Sequence, residues 1–337
     1  MTPSASLRDR LAVAPEVVDA LAAGTGAVAL ESTLISHGLP YPSNVEVARA
    51  AEAAVRETGA VPATVAIRDG RLLVGLDDGV LEELATAAAG SVRKASRPTL
   101  AAALAGGGLA ATTVSATMIA AHAAGIRVFA TGGVGGVHRG AFGGVGGVHR
   151  GAFGGSGPTS ARTSGRSTLD VSSDLEELAR TPVAVVCAGP KAILDVPATI
   201  EWLETRGVPV VTIGQDEVPG FYARRSGVRS PESVGDVAGA AVLAATHLGL
   251  GLGSGLLVCV PVPAADTLDE AGASQAVERA VADADAAGVA GPELTPWLLA
   301  RIAELTEGRS VRANTALIVN DARVAGQLAV ALGSRSD

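Results

Sequence analysis

The stretch that most restricts the fold is residues 181–196, TPVAVVCAGPKAILDV. Residues 183–188 form an unbroken apolar run rich in β-branched side chains. Such a run fits a strand covered on both faces, as in the middle of a parallel sheet. Gly189-Pro190 ends it, and Lys191 then stands at the carboxyl edge, where open α/β sheets bind their ligands. A lysine at that edge, backed by Cys187 and an apolar segment, is a candidate for amine chemistry. The plainer reading is a solvated loop lysine. Composition weighs against it: of 26 basic residues only Lys94 and Lys191 are lysine. Arginine does not deprotonate in proteins and cannot act as an amine nucleophile. Two isolated lysines in an arginine-rich chain are therefore better functional candidates than usual.

The flanking pattern alternates. Apolar runs at 27–30, 61–67, 127–130, 208–213 and 256–262 predict strands. Helical periods are expected at 12–23, 81–89, 116–124, 175–180, 199–205, 275–286, 296–305 and from about Arg312 to Leu332. Ser43-Asn44-Val45-Glu46 reads as a capping box that opens a helix to Thr58. Asp69-Gly70 predicts a hairpin turn to a strand at 71–76, and Lys94 falls in an expected loop. The pattern predicts a single-domain α/β/α sandwich over residues 1–337, with a largely parallel or mixed central sheet.

The chain is 337 residues long with net charge -8 and no basic stripe, which argues against a nucleic acid polymer as partner. Charged residues near the amino terminus interrupt any secretory apolar segment. The long uncharged run at 237–265 is cut by GLGLGSG, leaving pieces too short to span a bilayer. A cytoplasmic protein is expected. Cys187 and Cys259 fall in predicted buried strands and read as core residues.

GGVGGVHRGAF occurs twice in tandem, at 132–142 and 143–153, followed by a Gly/Ser/Thr-rich stretch, so that about 143–169 reads as an insert. The repeat lacks the spacing of a dinucleotide fingerprint, and no acidic residue follows at the required distance. Beyond it, Ser172 or a neighbouring aspartate is placed to cap a helix. The same serines suit an anion site, and Asp170 with Asp174 suits a hard divalent cation held mainly by water.

Together these segments resemble the pseudouridine-5′-phosphate glycosidase family. The resemblance is carried by ESTLISHGLPYPSN (31–44), GAVPATVAI (59–67), FATGGVGGVHRG (129–140), DVSSDLEELARTPVAVVCAGPKAILD (170–195), TPWLLARIAELTEG (295–308) and VRANTALIVNDA (311–322). It implies reversible cleavage of the C–C glycosidic bond of pseudouridine 5′-phosphate to uracil and ribose 5-phosphate, through a lysine–sugar imine. It also implies one Mn²⁺-type metal per subunit and a homotrimer. Carried over by motif, Lys191 is the nucleophile, Glu31 the proton donor and Asp170 the metal ligand. Lys94, Val114, Thr131, His138, Ser172, Ser173, Asp174 and Asn314 line the substrate site.

The residue types suit that reaction. A C–C bond offers no heteroatom leaving group, so the two-carboxylate glycosidase scheme does not serve, whereas an amine does. The duplication leaves His138 or His149 for the family position; His138 is preferred because Thr131 tethers the first copy to its strand. Three departures stand out: phenylalanine after each repeat alanine, KASRPT around Lys94, and Val260-Pro261-Val262-Pro263 in place of an Asn-Pro-x-Pro turn. Two other readings stay open: a sugar-phosphate-binding protein that has lost turnover, and a different Schiff-base lyase acting on a phosphosugar.

Overall fold

The structure is a computed structural model and describes residues 6–88, 90–139, 141, 170–289 and 294–333. The second repeat copy, His149 and the insert at 143–169 lie outside the described residues. Eleven strands form the main sheet among those described. Its path runs Leu11–Val13, Arg71–Val74, Val61–Arg68, Ala27–Leu30, Val128–Ala130, Ala184–Cys187, Leu256–Cys259, Val210–Ile213, Glu232–Val234. From Val61–Arg68 through Glu232–Val234 the neighbours are parallel. Val61–Arg68 also pairs antiparallel with Arg71–Val74 and Leu109–Thr112, so the sheet is mixed at that side.

The two faces follow from the strands' period of two. Val28, Leu30, Val186 and Val258 point into one core, beneath helices Ser43–Arg56, Val237–Gly249 and Arg309–Gly333. Ala27, Ala29, Val185, Cys187 and Cys259 point into the other, beneath Pro15–Ala23, Val114–Ala124 and Val196–Thr205. Ala27–Leu30, Ala184–Cys187 and Leu256–Cys259 are buried at every residue, as continuous apolar runs require. The expected α/β/α sandwich is present.

Asp69 and Gly70 both have positive φ, 48° and 76°, which is the primed-turn geometry that matches strand twist. The expected capping box at Ser43 does not form. The helix already begins at Ser43 with Pro42 as its cap, one residue earlier than the box requires. Asn44 instead bridges two other elements, donating to the carbonyls of Ile35 at 2.7 Å and Ala85 at 2.9 Å. Lys94 is not in a loop: Arg93–Ala95 is a strand paired parallel with Leu109–Thr112. A three-residue strand with exposed arginine and lysine leaves no apolar signal; its partner decides it. The capping box occurs just after, between Ser96 and Thr99.

The last helix spans Arg309–Gly333, starting three residues before the expected Arg312. By length and composition it is apolar enough to cross a membrane. Its Ala313, Leu317, Ala322, Ala325 and Leu328 are instead buried against the sheet core. Asp321 on the same helix is fully buried, and desolvation pushes its carboxyl well above the usual range.

Candidate active site

The parallel strands end at a common edge, and their loops enclose a cavity of about 670 Å³. Glu31 follows Ala27–Leu30, Thr131 follows Val128–Ala130, and Lys191 follows Ala184–Cys187 through Gly189-Pro190. All three line the cavity, with Lys94 from its short strand and Asn314 from the last helix. Five residues separated by up to 283 positions in sequence thus meet at one carboxyl edge, as open α/β sheets dictate. An apolar wall of Leu34, Phe221, Pro296, Trp297, Leu299 and Ile318 faces them.

Glu31 is held at both oxygens. The Thr131 hydroxyl donates to Oε1 and the Thr33 hydroxyl to Oε2. The next residue, Ser32, is buried, donates to the Val65 carbonyl at 2.6 Å and accepts from the Thr112 amide at 2.9 Å. These bonds fix the turn that carries the carboxylate. Lys191 is fixed through its backbone: its N–H donates to the Val134 carbonyl at 3.1 Å, and the Val134 N–H donates to Gly189 at 3.2 Å. The lysine loop and the glycine loop are thereby laced together.

That lacing explains the glycines at 132–136 without a phosphate cradle. A Cβ on Gly133 would lie 2.5 Å from the Phe221 ring and 3.0 Å from the Gly189 carbonyl. A Cβ on Gly135 would collide with the Ser172 hydroxyl. Side chains are excluded here by close packing of loops, not by a nucleotide.

Lys94 is largely exposed as a residue, but partial desolvation at the cavity wall pulls its pKa below the ordinary range, and the positive charge of Lys191 pulls it further; Glu31 and Asp174 act in the opposite sense. The two lysines therefore share one electrostatic environment.

The other expected site residues surround this cavity without lining it. Val114 is buried at the start of its helix, so its side chain belongs to the core. Asp174 is nearly buried. It accepts from the backbone amides of Ser115 and Gly135, each at 3.1 Å. Each carboxylate oxygen accepts one backbone amide, which fixes the orientation of Asp174. Ser172 caps Ser173–Leu178 by accepting from the Asp174 N–H at 3.2 Å, and the Ser173 and Ser115 hydroxyls lie 3.3 Å apart. His138 belongs to a two-residue strand, Val137–His138, paired with Leu194–Asp195 just beyond Lys191. Its N–H donates to the Asp170 carbonyl at 3.0 Å, and its Nδ1 lies 3.8 Å from Asp170 Oδ2. Asp170 is the exposed partner of that pair.

Several lining residues were not anticipated: His37, Thr33, Thr64, Phe221 and Trp297. Thr33 and His37 bound a five-residue helix that begins two residues after Glu31, too short to show periodicity. Trp297 stands in a quoted family segment, 295–308, but its place on the cavity wall depends on long-range packing.

Comparison with known proteins finds relatives along nearly the whole chain. The family described as indigoidine synthase A like protein matches residues 16–142 and 141–331. The chain is 50% identical over 324 residues to the pseudouridine-5′-phosphate glycosidase of Paracoccus denitrificans, covering 96% of this chain and 99% of the relative. It is 51% identical to the enzyme of that name from Methylobacterium nodulans, covering 96% and 88%. Among solved structures it is similar to a prealnumycin C-glycosynthase in complex with ribulose 5-phosphate, with TM-score 0.81 and 37% identity over 96% and 97% of the two chains. It is also similar to an indigoidine synthase A like protein of Thermotoga maritima, with TM-score 0.79 and 30% identity over 96% of each chain. The chain belongs to the indigoidine synthase A like family, alongside curated pseudouridine-5′-phosphate glycosidases that it matches along nearly its whole length.

Proposed function

We propose that this protein cleaves the C–C glycosidic bond of pseudouridine 5′-phosphate, reversibly, to uracil and ribose 5-phosphate. The observation that carries the reading is the meeting of Glu31 and Lys191 in one cavity, in a chain half identical to glycosidases of that name. The Lys191 amine attacks C1′ as the C1′–O4′ bond opens and O4′ takes a proton. The nitrogen lone pair then breaks the C1′–C5 bond while Glu31 protonates C5. Uracil leaves, and the sugar remains as an imine on Lys191. Water adds to that imine and releases ribose 5-phosphate with the free amine. Lys94 supplies positive charge for the phosphate, and Thr131 and Thr33 keep the Glu31 carboxyl aimed.

The reading includes one Mn²⁺-type cation per subunit, a homotrimer and a cytoplasmic setting. No group of three or more His, Cys, Asp or Glu converges on a cation site among the described residues. One exposed carboxylate, Asp170, with the His138 ring beside it, still fits a hard cation that keeps most of its own water. When bound, such a cation supplies positive charge for substrate oxygens. Asp170→Asn keeps the shape and removes the charged ligand, so the Mn²⁺ affinity should fall roughly tenfold or more. A Mn²⁺ titration checks this; an unchanged curve would remove Asp170 from the assignment.

The reaction itself is tested in the synthetic direction. Uracil and ribose 5-phosphate incubated with the protein and Mn²⁺ should yield pseudouridine 5′-phosphate. Binding of ribose 5-phosphate without that product would leave a sugar-phosphate-binding protein. Sugar-imine formation with no dependence on uracil would point to a different lyase.

A further inference from the structure

His37 is a cavity residue to which the reaction above gives no task. It closes the short helix Thr33–His37 that begins two residues after Glu31, and it lines the same cavity as Glu31, Lys94 and Lys191. Its Nδ1 lies 2.7 Å from the Ser36 hydroxyl, which fixes the ring while leaving the residue open at the cavity mouth. In the unliganded protein the imidazole is pushed toward its neutral form, first by partial desolvation and then by the Lys94 charge; the Val92 backbone works the other way.

Most other charges near this helix are paired elsewhere. Its packing neighbours are Ser43–Arg56, Asp78–Thr86 and the strand Leu109–Thr112, which carries no charge. On these, Arg49 pairs with Asp78 and Glu82, Arg68 pairs with Glu83, Arg56 pairs with Glu16, and Glu52 accepts from Thr64. Glu46 is the remaining charge on them. Glu31 is held by two threonines, and Asp174 and Lys191 act on Lys94. Lys94 is the charged group that acts on the ring among the described residues.

An imidazole pushed toward its neutral form beside an ammonium, on the wall of a cavity, can accept a proton when an anion binds. A phosphate dianion placed at Lys94 reverses the local field and favours imidazolium. We propose that His37 is a phosphate-binding residue of this site, taking up a proton as the phosphosugar binds and donating to its phosphate together with Lys94. The inference rests on the reading that Lys94 receives the phosphate. Because the bound form holds the proton more tightly than the free form, uptake occurs between the two titrations. Affinity gains from it as pH falls through that window.

The test is calorimetric titration of ribose 5-phosphate into the Mn²⁺-loaded protein at pH 7, in buffers of different ionisation enthalpy. Wild type should take up roughly half a proton per sugar bound, as a histidine crossing neutrality does. His37→Gln and His37→Asn should both lose that uptake and bind about tenfold more weakly. The ligand's own titration is common to all three proteins and cancels in the comparison. Equal uptake and equal affinity in all three would overturn the assignment. Synthesis of pseudouridine 5′-phosphate by wild type is measured alongside. If the product fails to form while the histidine-dependent uptake persists, the reading of the reaction is wrong and that of His37 stands. If the product forms while the variants behave as wild type, His37 alone is wrong. Failure of ribose 5-phosphate to bind wild type overturns both.

Discussion

Lys191→Arg is expected to abolish turnover, lowering the rate by on the order of 10,000-fold or more, because the carbon–nitrogen adduct cannot form. Arginine keeps the positive charge and most of the length, but its guanidinium does not deprotonate. The loop should hold its shape, since the backbone bond from residue 191 to the Val134 carbonyl is independent of the side chain. Ribose 5-phosphate should still bind through Lys94. The check is a rate measurement in both directions beside a binding titration. Turnover within tenfold of wild type would remove the nucleophile from Lys191.

Glu31→Gln is expected to slow making and breaking of the C–C bond by about 100- to 10,000-fold, the usual worth of a positioned general acid. Glutamine preserves the volume, and the Thr131 and Thr33 hydroxyls can reorient around it. The substitution separates two steps. Imine formation from free ribose 5-phosphate needs no proton at C5, so capture of the sugar on Lys191 should survive. Uracil release and uracil addition should both fall. A variant with normal uracil release, or one that is folded yet no longer captures the sugar, would contradict the assigned role.

The centre of the fold was legible because buried parallel strands must be apolar on both faces. Residues 27–30 and 183–188 carry that mark without ambiguity. Once those strands are placed, Glu31 and Lys191 follow at their carboxyl ends, and the fold brings them to one cavity. What failed to read was decided by pairing rather than pattern. Arg93–Ala95 is a strand because Leu109–Thr112 lies beside it, not because arginine and lysine favour extended backbone. Ser43 looked like a cap, yet the chain entered its helix at Ser43 itself, and the neighbouring Asn44 was engaged across to Ile35 and Ala85. Asp170 and Asp174 looked equivalent by spacing. Asp174 is buried and held by two backbone amides, whereas Asp170 is exposed beside His138. His37 lies in the family-like segment 31–44, but its place on the cavity wall could not be read from periodicity, because a five-residue helix has no period to read.

The central claim is that the sugar is held covalently on Lys191, and borohydride reduction with peptide mapping tests it most directly. The chain offers an aldehyde only Lys94, Lys191 and the α-amine. With ribose 5-phosphate present, reduction should leave one sugar adduct on the peptide containing Lys191, in wild type and in Lys94→Arg, and none in Lys191→Arg. An adduct mapped to Lys94, or no adduct in a protein that forms pseudouridine 5′-phosphate, would contradict the account.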